Sequence, residues 1–201
     1  MGGHALIGAG ATLEQRFKKI IAIDPVIPEP NSFQEQNSAL FEDVSNHPIA
    51  KRRSEFASVE EMMDRLKDKG SYGIFDPEIF EDYCRYGLLK DEVGPGYHLA
   101  CPPDIEASVY SSSRTNAKIY DALKKIRFPI LIIRAKEREP GKQVMDFSTS
   151  PTWRELANQF KNGREIYFPD NTHFLPMEIP GKIIEILNSE IAEVVTKSSL
   201  N

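Results

Sequence analysis

The chain has 201 residues, 40% of them hydrophobic, and a formal net charge of −5. That length suits one domain, or one domain with an insertion, and the apolar share suffices for a core. The negative charge argues against nucleic acid or an anionic membrane surface as a partner, and no apolar run approaches the roughly 18 residues of a membrane span.

In chain order, residues 2–14 suit a helix packed closely on a sheet, because Gly and Ala permit close approach. The run Ile20-Ile21-Ala22-Ile23-Asp24 reads as a buried strand ending in an acid; Pro25, Pro28 and Pro30 end it and open a polar loop. From about 48 to 125 the pattern is helical with no strong strand. Ser58-Val59-Glu60-Glu61 is a capping box, with Val59, Met62, Met63 and Leu66 on one face. Asp76-Pro77 starts a second helix carrying Ile79, Phe80 and Tyr83, and Gly87 stops it. Residues 88–112, with Pro95, Pro102 and Pro103, read as irregular. A helix through Ala117, Tyr120 and Leu123 ends this insertion, which suggests a helical cap over an active site. The sheet resumes at Pro129–Arg134, apolar through its middle as a central parallel strand should be. Ser150-Pro151 should cap a short helix with Trp153, Leu156, Ala157 and Phe160. Arg164–Phe168 is the last strand, and Pro180 starts a final helix with Ile183, Ile184, Leu187 and Ile191 on one face. The expected domains are therefore a core at 1–47 with 126–201, and a cap at 48–125.

Cys84 and Cys101 lie far apart without CxxC spacing, so buried thiols are expected rather than a disulfide or a metal site. A reducing, intracellular compartment fits, and the start lacks the features of a secretory signal. The terminal Ser198-Ser199-Leu200-Asn201 resembles a peroxisomal tripeptide but ends one residue late, and is not counted as one. Nothing in the sequence implies a cofactor or metal.

His173 stands between the last strand and the last helix, in Asp170-Asn171-Thr172-His173-Phe174-Leu175-Pro176-Met177-Glu178. A loop there can bring an imidazole over the top of the sheet, where a general base must meet a nucleophile. The apolar residues after the ring could help exclude water.

Taken together, these residues resemble the α/β-hydrolase superfamily, and within it fungal esterase/lipase-type hydrolases, including those of host-selective toxin biosynthesis. The runs that carry the likeness are Ile23-Asp24-Pro25-Val26, Ile133-Arg134-Ala135-Lys136, Met145–Trp153 and Thr172–Glu178. In such proteins the nucleophile elbow often reads Gly-His-Ser-Met-Gly-Gly, on a tight strand-to-helix turn. Met1-Gly2-Gly3 looks like its last three residues. The resemblance then implies the C-terminal part of the fold, α/β with about three parallel strands, flanking helices and a helical cap. The nucleophile would be the residue before Met1, and the Met1 nitrogen would belong to the oxyanion hole. A rival alignment makes Gly3-His4-Ala5-Leu6-Ile7-Gly8 the elbow, with Ala5 for Ser. It puts Ile7 where the turn wants no Cβ, and leaves the helix before Asp24 about a turn short.

The resemblance also implies a carboxylate that orients His173. Many hydrolases place it a few residues past the 129–134 strand. There the expected Asp position is Arg138, so Glu137 or Glu139 would have to serve; Asp24 competes, since some members use an acid at the end of the preceding strand. The implied function is hydrolysis of a small hydrophobic ester or thioester, with no activity expected from this sequence alone. An epoxide hydrolase with an Asp nucleophile is an alternative, with Tyr83, Tyr86 and Tyr110 as oxirane activators; a non-catalytic binding fragment is another. The first strand would expose an edge open to self-association. By family resemblance the compartment would be cytoplasmic or peroxisomal.

Overall fold

A computed structural model describes residues 1–31, 44–113, 117–139 and 147–198. The chain divides into two compact units, Met1–Phe33 with Ala117–Asn201, and Gln34–Asn116. The start of the Met145–Trp153 run and the residues Ser199-Leu200-Asn201 lie outside the described residues.

The first unit is built on a parallel sheet. Strands β1 (Ile20–Ile23), β5 (Ile130–Arg134) and β6 (Gly163–Tyr167) lie in the order β1-β5-β6. Ile23 pairs with Ile133 and Arg134 with Tyr167, so the three strands end together. All five residues of β5 are buried, as a central strand covered on both faces requires. Helix α1 (Gly2–Thr12) packs on one face through Ile7, with Leu123, Ile126 and Leu156 completing that core. Gly3 makes the close approach: a Cβ there would stand 2.8 Å from Pro25 Cβ. On the other face α7 (Pro180–Ser198) packs Ile183, with Ile186 and Leu187 beside it.

Three expectations change here. The final helix does not bury one stripe of all four apolar residues. Ile184 and Ile191 are exposed, and Glu190 takes the inward place seven residues after Ile183. Glu190 ion-pairs with Lys19 and Arg164, which tie the helix to the sheet. Ser150-Pro151 caps no helix; only a short 3-10 turn, Ala157–Gln159, forms downstream. The Ser150 hydroxyl is engaged by a distant residue instead. Helix α5 (Ile119–Leu123) buries Ile119 and Leu123 in the first unit's core, so it belongs with the sheet rather than with the insertion.

The second unit is not purely helical. It holds a small antiparallel sheet of β2 (Glu55–Phe56), β3 (Leu88–Lys90) and β4 (Tyr97–Leu99), in the order β2-β4-β3. Strands of two or three residues are too short to show an alternation, and β2 finds β4 some forty residues away. Helix α2 (Val59–Leu66) starts as expected, with the Ser58 hydroxyl accepting from the Glu61 N–H at 3.1 Å. Helix α3 (Pro77–Tyr86) is capped by Asp76 and ends at Gly87. Helix α4 (Pro103–Ser113) crosses the stretch read as irregular; Pro103 occupies its first turn, where a missing N–H costs nothing. Met62, Cys84, Phe56, Leu88 and Leu99 form this unit's own core.

Candidate active site

The loops that leave the C-terminal ends of the parallel strands bring together residues far apart in sequence. Asp24 directly follows β1. Its backbone is left-handed, φ 42°, a conformation Asp tolerates better than most residues. Its N–H continues the ladder to the Ile133 carbonyl at 2.7 Å. The side chain is fully enclosed. A buried carboxylate must have its lone pairs satisfied, and Asp24 does so asymmetrically. Oδ1 receives the Ala135 N–H at 3.0 Å and the Ser150 hydroxyl at 2.6 Å. Oδ2 lies 2.8 Å from Nδ1 of His173.

His173 sits on the loop between β6 and the short helix α6 (Leu175–Glu178). An ionised carboxylate only accepts hydrogen bonds, so Nδ1 carries the hydrogen of this contact. The ring is stacked on Phe147, centroids 4.7 Å apart, with Phe174 edge-on at 5.7 Å. The His173 N–H donates to the Phe147 carbonyl at 3.2 Å. The loop itself is held by Glu178: its carboxylate accepts from the Thr172 N–H at 2.9 Å, from the Thr172 hydroxyl, and from Asn171 Nδ2 at 3.0 Å.

The other candidate carboxylates are occupied elsewhere. Both are exposed; Glu137 faces Arg154 at 3.6 Å and Glu139 faces Lys136 at 3.9 Å. Met1 is the N-cap of α1, and burial holds its amino group below the ordinary value. Ala5 lies inside α1, not at a strand-to-helix turn, and the His4 ring contacts the Val26 carbonyl at 3.2 Å; the rival elbow therefore has no turn to stand on. In the second unit, the hydroxyls of Tyr83 and Tyr72 are 3.2 Å apart, Tyr110 stacks on His47, and Tyr86 is exposed. Among the described residues no group of three or more His, Cys, Asp or Glu could hold a metal ion.

Ser150, Thr152, Phe147 and Glu178 did not emerge from the sequence as parts of the site. The one local signal is the hydroxyl-rich Ser148-Thr149-Ser150-Pro151-Thr152, an excess of short donors.

The fold of this chain has counterparts among solved structures. The chain aligns with a peroxisomal alpha-beta-hydrolase from Saccharomyces cerevisiae at TM-score 0.67, 18% identical, over 96% of this chain and 51% of that one. It aligns with E-2-(acetamidomethylene)succinate hydrolase at 0.65, 14% identical, over 95% and 63%. With a thermophilic esterase from Thermogutta terrifontis the score is 0.55, at 17% identity, over 96% and 62%. The chain carries a partial α/β-hydrolase fold. It spans between half and two thirds of the length of these structures. No protein-family model and no curated protein matches the sequence. The likeness reaches the α/β-hydrolase fold and not the individual substrates of those enzymes.

Proposed function

We propose that this chain is the C-terminal part of a serine-type α/β-hydrolase acting on a small, hydrophobic ester or thioester. The observation that carries the reading is the Asp24–His173 contact at the strand ends, with an enclosed carboxylate on Nδ1. In this reading the nucleophilic Ser stands immediately before Met1-Gly2-Gly3 in the elbow. His173 Nε2 takes the Ser proton as its oxygen attacks the acyl carbon. The amide N–H of the residue after the nucleophile, here Met1, donates to the oxyanion. The proton passes from Nε2 to the departing alcohol or thiol, and water then repeats the cycle on the acyl-enzyme. Asp24 keeps the imidazole oriented and stabilises the imidazolium.

Phe147 and Phe174 around the imidazole support an apolar acyl or alcohol group. The net charge of −5 supports a small-molecule substrate over nucleic acid. A role in fungal secondary-metabolite biosynthesis rests on the sequence resemblance alone. Among the described residues no helix is long and apolar enough to cross a membrane. A cytoplasmic or peroxisomal location is our reading, and one structural neighbour is a peroxisomal hydrolase. Self-association through β1 is a further expectation, supported by its pairing with β5 alone among the described strands.

The test is to extend the sequence upstream through a Gly-His-Ser elbow and the preceding strands. The extended protein should hydrolyse a short-chain aryl ester and bind a serine-directed phosphonate one to one. The 201-residue chain should do neither. Stoichiometric labelling of the 201-residue chain, with ordinary turnover, would defeat the assignment.

A further inference from the structure

The Asp24 carboxylate has two oxygens and only one of them faces His173. What prevents it from rotating is the set of donors on Oδ1. One is the Ala135 N–H, fixed by the end of β5. A second is the Ser150 hydroxyl, and Ser150 is itself held at three points. Its N–H donates to the Lys136 carbonyl at 2.7 Å. Its Oγ accepts the Thr152 N–H at 3.1 Å, so the hydroxyl hydrogen is left to point at Asp24, 2.6 Å away. The side chain is buried, so no water competes for that hydrogen.

Thr152 is the third and weaker donor to Oδ1. Its single hydroxyl hydrogen faces both Asp24 Oδ1 at 3.1 Å and the Pro25 carbonyl at 2.7 Å. Neither partner can donate, and the nearer acceptor holds the hydrogen. The same segment reaches the histidine at its other end, where Phe147 stacks on the ring and accepts the His173 N–H. At Trp153 it donates to the Ile27 carbonyl at 2.7 Å. Residues 147–153 thus touch the loops after all three parallel strands.

We propose that Ser150 is a positioning residue of the site: its hydroxyl holds Asp24 Oδ1 so that Oδ2 remains on His173 Nδ1. This inference rests on the Asp24–His173 reading given above. A hydrogen bond to a buried carboxylate is among the stronger ones, and its loss frees the carboxylate to turn.

The experiment is proton NMR on the 201-residue chain, following the low-field Nδ1 proton of His173, assigned through its loss in His173→Ala. In Ser150→Ala its exchange with solvent should accelerate about tenfold or more, and Ser150→Thr should restore slow exchange. A residue that only supported the fold would lower the urea midpoint and leave this proton unchanged. Unchanged shift and exchange in folded Ser150→Ala overturns the inference while leaving the Asp24–His173 pair intact. Absence of the proton from the unsubstituted chain overturns both. If Ser150→Ala does not fold, Ser150→Cys keeps the volume with a weaker donor. Faster exchange there supports the inference, and unchanged exchange overturns it.

Discussion

Asp24 Oδ2 lies 2.8 Å from His173 Nδ1 although 149 positions separate them in the chain. Asp24 is the first residue after β1 and His173 the sixth after β6, with the whole of β5 between them in the sheet. Their meeting depends on the strands ending at one level. In the extended hydrolase, Asp24→Asn should lower kcat by about three to four orders of magnitude, because an amide can present N–H to Nδ1 and favour the wrong tautomer. KM for the aryl ester should change little. Steady-state kinetics decide it, and a loss under tenfold would remove Asp24 from its role.

His173→Ala in the same protein should abolish measurable hydrolysis. Glu137→Gln and Glu139→Gln should each keep rates within about twofold, since both groups are exposed and face Arg154 and Lys136. A large loss at either glutamate would reassign the acid.

Two glycines of α1 make a paired stability test. Gly3→Ala places a Cβ 2.8 Å from Pro25 Cβ, against a ring that cannot rotate away. Urea unfolding should show a loss of about 1–3 kcal/mol from overpacking. Gly8→Ala meets nothing within 4 Å in the same helix and should gain about 0.5–1 kcal/mol. Equal effects at the two positions would contradict the close approach of α1 to the end of β1.

Glu190 sets an acid limit on stability. Burial works against its ionised form, but hydrogen bonds and charge from Lys19 and Arg164 outweigh burial and hold the carboxyl below its ordinary value. A lowered carboxyl stabilises the fold above its unfolded value, about 4.3 for Glu, and that contribution disappears as pH falls through the lower folded value. Lys19 is opposed by its own burial yet held above its usual value by Glu190 and Glu193, so its share is lost only in strong alkali. Glu190→Gln should cost about 2–3 kcal/mol at neutral pH, discounted because Arg164 is half exposed. It should also flatten the decline in stability below pH ~4, read from urea unfolding across pH.

Local patterns sufficed where local physics decides. The apolar run Ile130–Ile133 of β5, the Ser58 and Asp76 caps and the small-residue face of α1 are written in neighbouring residues. His173 was legible as a polar residue between a strand and a helix in the right order. The choice among Asp24, Glu137 and Glu139 was not, because each ends or follows a strand and nothing local distinguishes them. The tertiary structure separates them by burial: Asp24 turns into the protein and needs donors, whereas the two glutamates remain in solvent. The same cause hid Ser150, whose sequence neighbours suggest a helix cap. Its hydroxyl serves instead a carboxylate 126 positions away, and no periodicity encodes a bond between two loops. It hid the inward Glu190 as well, because a charged residue enters an apolar stripe only where Lys19 and Arg164 are waiting for it.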